Sequence, residues 1–188
     1  MKQTLLLLLG PTGAGKSTIV RHLESLDVRF RYIRPYTTRP LRDGESDKVF
    51  VTESDMEHLW RDGGLLVVNT LYGIKYGTPR FPIEEAFKLG LFPVIDWPIQ
   101  QIEIMNKAYP GLLLRVYVKP PDLETLKKRL SERNDFDVRV EVAQQELASL
   151  EKDHYRENID LIVSNESGLS GETALKIYKQ YIAHCTHS

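Results

Sequence analysis

Leu5-Leu6-Leu7-Leu8-Leu9-Gly10-Pro11-Thr12-Gly13-Ala14-Gly15-Lys16-Ser17 is the stretch whose reading decides the fold. The apolar run does not alternate with polar residues, so residues 4–9 read as a strand buried on both faces. Gly10 to Ser17 matches the pattern G-x-x-x-x-G-K-[ST] in full, between that strand and a helix expected over 17–26. Glycines let such a loop curl until successive backbone N–H groups point inward at phosphate oxygens. The positive end of the helix dipole faces the same anion.

The loop therefore predicts nucleoside triphosphate binding through Gly10, Pro11, Thr12, Gly13, Ala14, Gly15, Lys16, Ser17 and Thr18. Lys16 is expected to reach the β- and γ-phosphates, and the Ser17 hydroxyl to be a ligand of Mg²⁺. Switch GTPases carry the same loop but also need an Asn-Lys-x-Asp element that reads guanine, and the chain has none.

Outward from the loop, buried strands alternate with helices. Strands are expected at 29–34, 65–71, 92–96, 112–118 and 159–163, with Pro93 weakening the third of these. Helices are expected at 82–89, ended by Gly90, at 100–108 and at 123–133. A longer helix follows with Val140, Ala143, Leu147 and Leu150 on one face, and a C-terminal helix carries Ala174, Ile177, Tyr178, Tyr181 and Ile182. Ser54 to Glu57 fits a capping box that starts a short helix ended by Gly63-Gly64. Residues 35–47 are polar and rich in Arg, Thr, Pro and Gly, and read as loop. The pattern is that of an α/β protein, a parallel sheet with helices on both faces. Residues 35–81 interrupt it as an inserted subdomain within one domain spanning 1–188; the core is 1–34 and 82–188.

Composition narrows the function. The chain has 188 residues, 41% of them hydrophobic and 27% charged, enough for a sizeable core. Its net charge of −1 argues against a generally basic nucleic-acid binder. The single Cys185 excludes an internal disulfide framework and a cysteine-based zinc cluster. The leucine run is far shorter than the ~20 residues that span a bilayer, and it leads into a glycine-rich loop rather than a cleavage site. A cytoplasmic protein with no membrane partner is expected.

A phosphate acceptor is announced by Tyr36-Thr37-Thr38-Arg39-Pro40-Leu41-Arg42-Asp43-Gly44-Glu45. Two arginines three residues apart on a polar loop can grip a phosphate with forked donors, and the Tyr76 phenol can add a third. Here the sequence resembles the guanylate kinases, whose pattern is Ser-x-Thr-Thr-Arg-x-x-Arg-x-Gly-Glu. Tyr76-Gly77-Thr78, Ile95-Asp96-Trp97, Lys127 to Arg133 and Val163-Ser164-Asn165-Glu166 extend the similarity in order along the chain. The resemblance implies a P-loop nucleoside monophosphate kinase that transfers the ATP γ-phosphoryl group to GMP or a related (deoxy)nucleoside monophosphate, as a monomer or homodimer. By the same resemblance, Arg39, Arg42 and Tyr76 hold the acceptor phosphate, Thr78 helps hold the acceptor base, and Asp96 contacts that base or orders Mg²⁺-bound water. Asn165 and Arg129 then belong to the ATP side. Residues of about 129–140 form a short lid whose Arg133 and Arg139, with Lys16 and Arg39, serve the transfer itself.

Three acceptor-side positions depart from the family. Val67 stands where guanylate kinases place a glutamate that reads guanine, Pro35 stands for the serine, and Lys48 for a tyrosine. Asn69, two residues beyond Val67 on the same strand face, is an alternative reader of the base. These departures keep two further readings open: a kinase of a non-guanine acceptor such as a phosphosugar or modified nucleotide, and a non-catalytic interaction module, against which the intact Gly15-Lys16-Ser17 argues.

Overall fold

The computed structural model describes residues 2–41, 43–71, 73–131 and 136–186. β1 (Leu5–Leu9) is the centre of a five-stranded sheet. On one side it pairs with β7 (Phe92–Asp96), which pairs with β2 (Phe30–Tyr32); on the other it pairs with β8 (Leu113–Lys119), which pairs with β9 (Leu161–Ser164). Every pairing is parallel.

All five leucines of β1 are fully buried, and their alternation divides them between two cores. Leu6 and Leu8 join Ile19, Val20 and Leu23 of α1 (Lys16–Leu26) and Ala174, Ile177 and Tyr181 of α8 (Ser170–Thr186). Leu5, Leu7 and Leu9 join Ile83 and Phe87 of α3 (Phe81–Lys88) and Ile102 and Met105 of α4 (Ile102–Ala108). Helices on both faces explain why the strand shows no polar alternation. A smaller cluster packs Leu126 and Leu130 of α5 (Leu123–Leu130) on Val140 and Ala143 of α6 (Phe136–Ser149), with Leu147 at its edge; Leu150 joins the second core.

Pro93 is accommodated inside β7 because the ladder with β1 starts one residue later, at Leu6↔Val94. The short α7 (Asp153–Arg156) lies between α6 and β9. Among the described residues, no helix is long and apolar enough to cross a membrane.

Residues 36–79 hold a second sheet, which the sequence reading only partly anticipates. Its order is β4 (Val49–Phe50), β3 (Tyr36–Thr37), β6 (Ile74–Pro79), β5 (Leu65–Leu71). Tyr36 and Thr37, expected in a loop, are strand because they pair with Gly77 and Tyr76 of β6. α2 (Glu53–Arg61) packs beside this sheet, and its capping box sits two residues earlier than expected. Thr52 Oγ1 accepts the Asp55 N–H at 3.1 Å, and Asp55 Oδ2 accepts the Thr52 N–H at 3.1 Å, so Thr52 and Asp55 replace Ser54 and Glu57. The helix expected over 123–133 ends at Leu130, with Ser131 as its C-cap. Arg133, like Arg42, lies outside the described residues.

Candidate active site

The Gly10–Ser17 loop leaves the carboxyl end of β1, where open parallel sheets bind ligands, and feeds into α1. Gly15 is the N-cap of α1 in the left-handed region at φ 93°, and a Cβ there would overlap Asn165 Nδ2. Gly10 meets the Val118 carbonyl as closely, so no side chain fits at either position. Asn165 and Arg129 brace the loop from behind. Asn165, 1% exposed, donates through Nδ2 to Ala14 O at 2.8 Å. Arg129 donates to Gly13 O at 3.3 Å and to Asn165 O at 3.1 Å. Gly10, Pro11 and Ala14 turn inward and are buried, so of the residues expected to bind ATP they supply carbonyls rather than cleft surface. Lys16 folds back over the loop, donating to Gly10 O at 2.5 Å and Pro11 O at 3.0 Å. Ser17 is exposed to the cleft.

The cleft, about 1160 Å³, lies between this loop and the second sheet. From the loop it is lined by Thr12, Gly13, Gly15, Lys16, Ser17 and Thr18, with Arg129 and Asn165 behind them. Across from them the second sheet contributes Arg39, Asn69, Tyr76 and Thr78, and Asp96 stands at the end of β7. Arg139 enters from α6. The donor and acceptor candidates, separated by up to 126 positions in sequence among Arg39 and Asn165, thus face one space.

Arg39 is held in a two-pronged ion pair with Glu45, at 2.7 and 2.5 Å, and also donates to Pro40 O at 2.8 Å. That pair and a hydrogen bond with Tyr76 hold its guanidinium well above the usual arginine range. Lys48 also reaches Glu45, at 3.3 Å, and Asp47 at 3.0 Å. Asp96 is exposed and accepts a 2.5 Å hydrogen bond from the Tyr32 hydroxyl. Burial first, and then the Asp96 carboxylate, push the Tyr32 phenol far above its ordinary range.

Asn69 is opposite Tyr76 in the β5–β6 ladder, and Val67 is opposite Thr78. Val67 is half-buried against the second core. Asn69 forms a reciprocal amide pair with Gln101, donating at 3.1 Å and accepting at 2.6 Å.

Gln101 and Glu146 are among the cleft residues not anticipated from sequence. Gln101 comes from a 3₁₀ turn, Ile99–Gln101, just after β7. Glu146 of α6 is half-buried and lines the cleft. Burial raises its carboxyl above the ordinary range, the nearby Asp96 charge adds to that, and Lys16 and the Thr12 N–H oppose it. The legible signal was the spacing of Arg139, Val142, Gln145 and Glu146, a second helix face beside the apolar one.

No group of three or more His, Cys, Asp or Glu side chains able to hold a metal ion occurs among the described residues. The donor set suits Mg²⁺ bound chiefly by substrate phosphates, with Ser17 as its protein ligand, because Mg²⁺ is usually held by few protein groups and phosphate oxygens.

A guanylate kinase family model matches residues 2–184. The chain is 34% identical over 165 residues to a guanylate kinase of Gluconobacter oxydans, covering 86% of this chain and 79% of that protein. It is 31% identical over 186 residues to a guanylate kinase of Helicobacter pylori, covering 95% and 87%. Among solved structures, the guanylate kinase of Anaplasma phagocytophilum superposes with a TM-score of 0.76 at 21% identity, covering all of this chain and 88% of the other. A shikimate kinase from Acinetobacter baumannii shares the fold more distantly, with a TM-score of 0.51 at 17% identity over 98% and 96%.

Proposed function

The chain belongs to the guanylate kinase family, an ATP-dependent phosphotransferase by that membership, and we propose that it transfers the γ-phosphoryl group of ATP to the phosphate of GMP or a related nucleoside monophosphate. The observation that carries this reading is the common cleft: a complete phosphate loop with Lys16 and Ser17 opens on the same space as Arg39, Tyr76 and Thr78. A non-catalytic module has no use for that pairing.

In the reaction an oxygen of the acceptor phosphate attacks the γ-phosphorus, the bond from that phosphorus to the β,γ-bridging oxygen breaks, and ADP leaves. Ser17 is the residue that would hold Mg²⁺, which would supply charge neutralisation to the triphosphate. The chain's own part is positioning and charge. Lys16 exchanges the Gly10 and Pro11 carbonyls for the phosphates, to which a lysine ammonium binds far more strongly than to a neutral carbonyl. Arg39 exchanges Glu45 for the acceptor phosphate, and Tyr76, already bonded to Arg39, turns with it. Arg42 and Arg133 complete this set in the proposal, from outside the described residues, and Arg139 brings charge from α6. Residues 35–81 act as the acceptor-binding unit and about 129–140 as a lid that excludes water. Cytoplasmic location accords with a nucleotide kinase of this kind.

The test is ADP formation from ATP with GMP, by wild type and Lys16→Ala. Removing a charge that acts on the transferred phosphoryl is expected to lower kcat by about 10²-fold or more, ~2.7 kcal/mol, with the fold kept by circular dichroism. Near-normal turnover in folded Lys16→Ala, or no ADP formed by wild type with any monophosphate, contradicts the kinase reading.

A further inference from the structure

Tyr32 belongs to none of the stretches that carry the family resemblance, yet its hydroxyl reaches a carboxylate of the cleft. It is the last residue of β2, opposite Val94 of β7, and it donates at 2.5 Å to Oδ1 of Asp96, further along that strand. Its backbone is fixed on both edges. The Tyr32 N–H donates to Glu24 Oε1 of α1 at 3.2 Å, and the Ile33 N–H to the Val94 carbonyl at 2.8 Å. The ring is half-buried against the core that α1 helps to build. Among the described residues, Asp96 Oδ2 has no hydrogen-bond partner. The phenol therefore fixes one carboxylate oxygen and leaves the other to the cleft.

The face of β7 that carries Asp96 decides which substrate it meets. Val94 shares that face and is fully buried among residues of α1. Asp96 is in register with Leu8 of β1, just before the phosphate loop. Ser17 and Glu24 lie on one side of α1 and, with Tyr32, line a second cavity of about 820 Å³; Ser17 also lines the cleft. Asp96 thus stands on the Ser17 side of the sheet, and the Glu146 carboxyl feels the charges of both Asp96 and Lys16. Arg39, Tyr76 and Thr78 come from the second sheet instead. A carboxylate at the triphosphate end repels phosphate directly and attracts it only through a cation. Mg²⁺ seated on substrate phosphates keeps several waters, whose hydrogens a fixed carboxylate oxygen can accept.

We infer that Tyr32 is a positioning residue for phosphoryl transfer: its hydroxyl holds Asp96 so that Oδ2 accepts hydrogen bonds from the waters of the Mg²⁺ that Ser17 would hold. The inference rests on the kinase reading above and assigns Asp96 to the donor side of the cleft rather than to the acceptor base. Tyr32→Phe keeps the ring in the core and removes only the hydroxyl that orients Asp96.

The experiment compares wild type, Tyr32→Phe, Asp96→Asn and the double variant. Calorimetry gives Kd for ADP with Mg²⁺ and with EDTA, and steady-state assays give kcat and KM for ATP and GMP. Tyr32→Phe is expected to weaken ADP binding about 10-fold with Mg²⁺ and to leave it unchanged in EDTA, the loss typical of an outer-shell partner. Its kcat is expected to fall by a similar factor, with KM for GMP unchanged. In the Asp96→Asn background, Tyr32→Phe is expected to shift the Mg²⁺-dependent Kd by less than about 2-fold, because it acts through Asp96. An unchanged Kd for ADP with Mg²⁺ in Tyr32→Phe overturns the inference. So does a rise in KM for GMP at unchanged kcat, which would put Asp96 at the acceptor base. A full loss that persists in the Asp96→Asn background also overturns it, since Tyr32 then serves the fold alone. None of these outcomes touches the kinase reading. Absence of phosphoryl transfer by wild type to every monophosphate overturns the kinase reading and, with it, the role given to Tyr32.

Discussion

Arg39 and Glu146 show what a single side chain does in the cleft. Arg39→Ala removes the forked donor proposed for the acceptor phosphate, a charged hydrogen bond worth ~1.5–3 kcal/mol. The expected result is a rise of about 10- to 100-fold in KM for the acceptor with KM for ATP little changed, measured by varying each substrate at saturation of the other. An equal loss of ATP affinity would place Arg39 on the wrong side of the cleft. Glu146 gives a pH dependence. Its carboxyl is raised in the folded protein, chiefly by burial, so its folded pKa exceeds its unfolded one. A group of that kind favours the folded state fully below its unfolded pKa, and that contribution is lost as pH rises through the folded pKa. Glu146→Gln keeps the shape of the side chain and removes the buried charge. Thermal melts of the ligand-free protein should show the variant more stable than wild type at about pH 7, with the difference vanishing below about pH 4. Residue-scale legibility was uneven. The phosphate loop declares itself because every position is forced by backbone geometry or phosphate charge. Glu146 and Gln101 were missed because each acquires its role only when a distant element swings it over the cleft.

At the level of elements, α8 illustrates how the terminal parts of the chain support the loop. Tyr181 is fully buried, and its hydroxyl donates to the Thr4 carbonyl at 2.6 Å, tying α8 to the start of β1. Its ring also packs on Phe30 and Phe92, with centroids 5.1 and 5.0 Å away. Tyr181→Phe keeps the ring and leaves the Thr4 carbonyl without this donor, which costs ~1–3 kcal/mol. For a chain of this size that corresponds to a fall in Tm of about 2–4 °C per kcal/mol, read by calorimetry, with kcat unchanged. A Tm within error of wild type would show that water replaces the hydroxyl. β1 was legible because burial on both faces leaves an unbroken apolar run. β6 was not, because Ile74-Lys75-Tyr76-Gly77-Thr78-Pro79 has no clear alternation and carries both Gly and Pro. It is strand only through its ladders to β3 and β5. The shift of the α2 cap from Ser54 to Thr52 has a similar origin, since two overlapping stretches satisfy the same local pattern and the chain uses the one that joins β4 to α2.

For the whole molecule, the two sheets meet across the cleft, and ligands that touch both should draw them together. A non-hydrolysable ATP analogue with GMP, each at about 100 times its Kd, adds ~2.7 kcal/mol per independent site to stability. The pair together is expected to lower the radius of gyration in small-angle scattering, and either ligand alone to lower it less. An unchanged radius with both bound would mean that the cleft is already closed. The central place of β1 has a further consequence, during synthesis. Leu5–Leu9 emerges from the ribosome before every strand that covers it. Its first neighbour is Phe92–Asp96 and its second Leu113–Lys119. At 5–20 residues per second, the five leucines wait roughly 5–20 s for both. An uncharged run of this kind is a site for pairing with other nascent chains, and Lys2 and Pro11 stand on either side of it as the residue types that discourage such pairing. Yield of soluble protein and stability of the finished fold are therefore separate properties of this chain: the first is set by that interval on the ribosome, the second by the completed sheet.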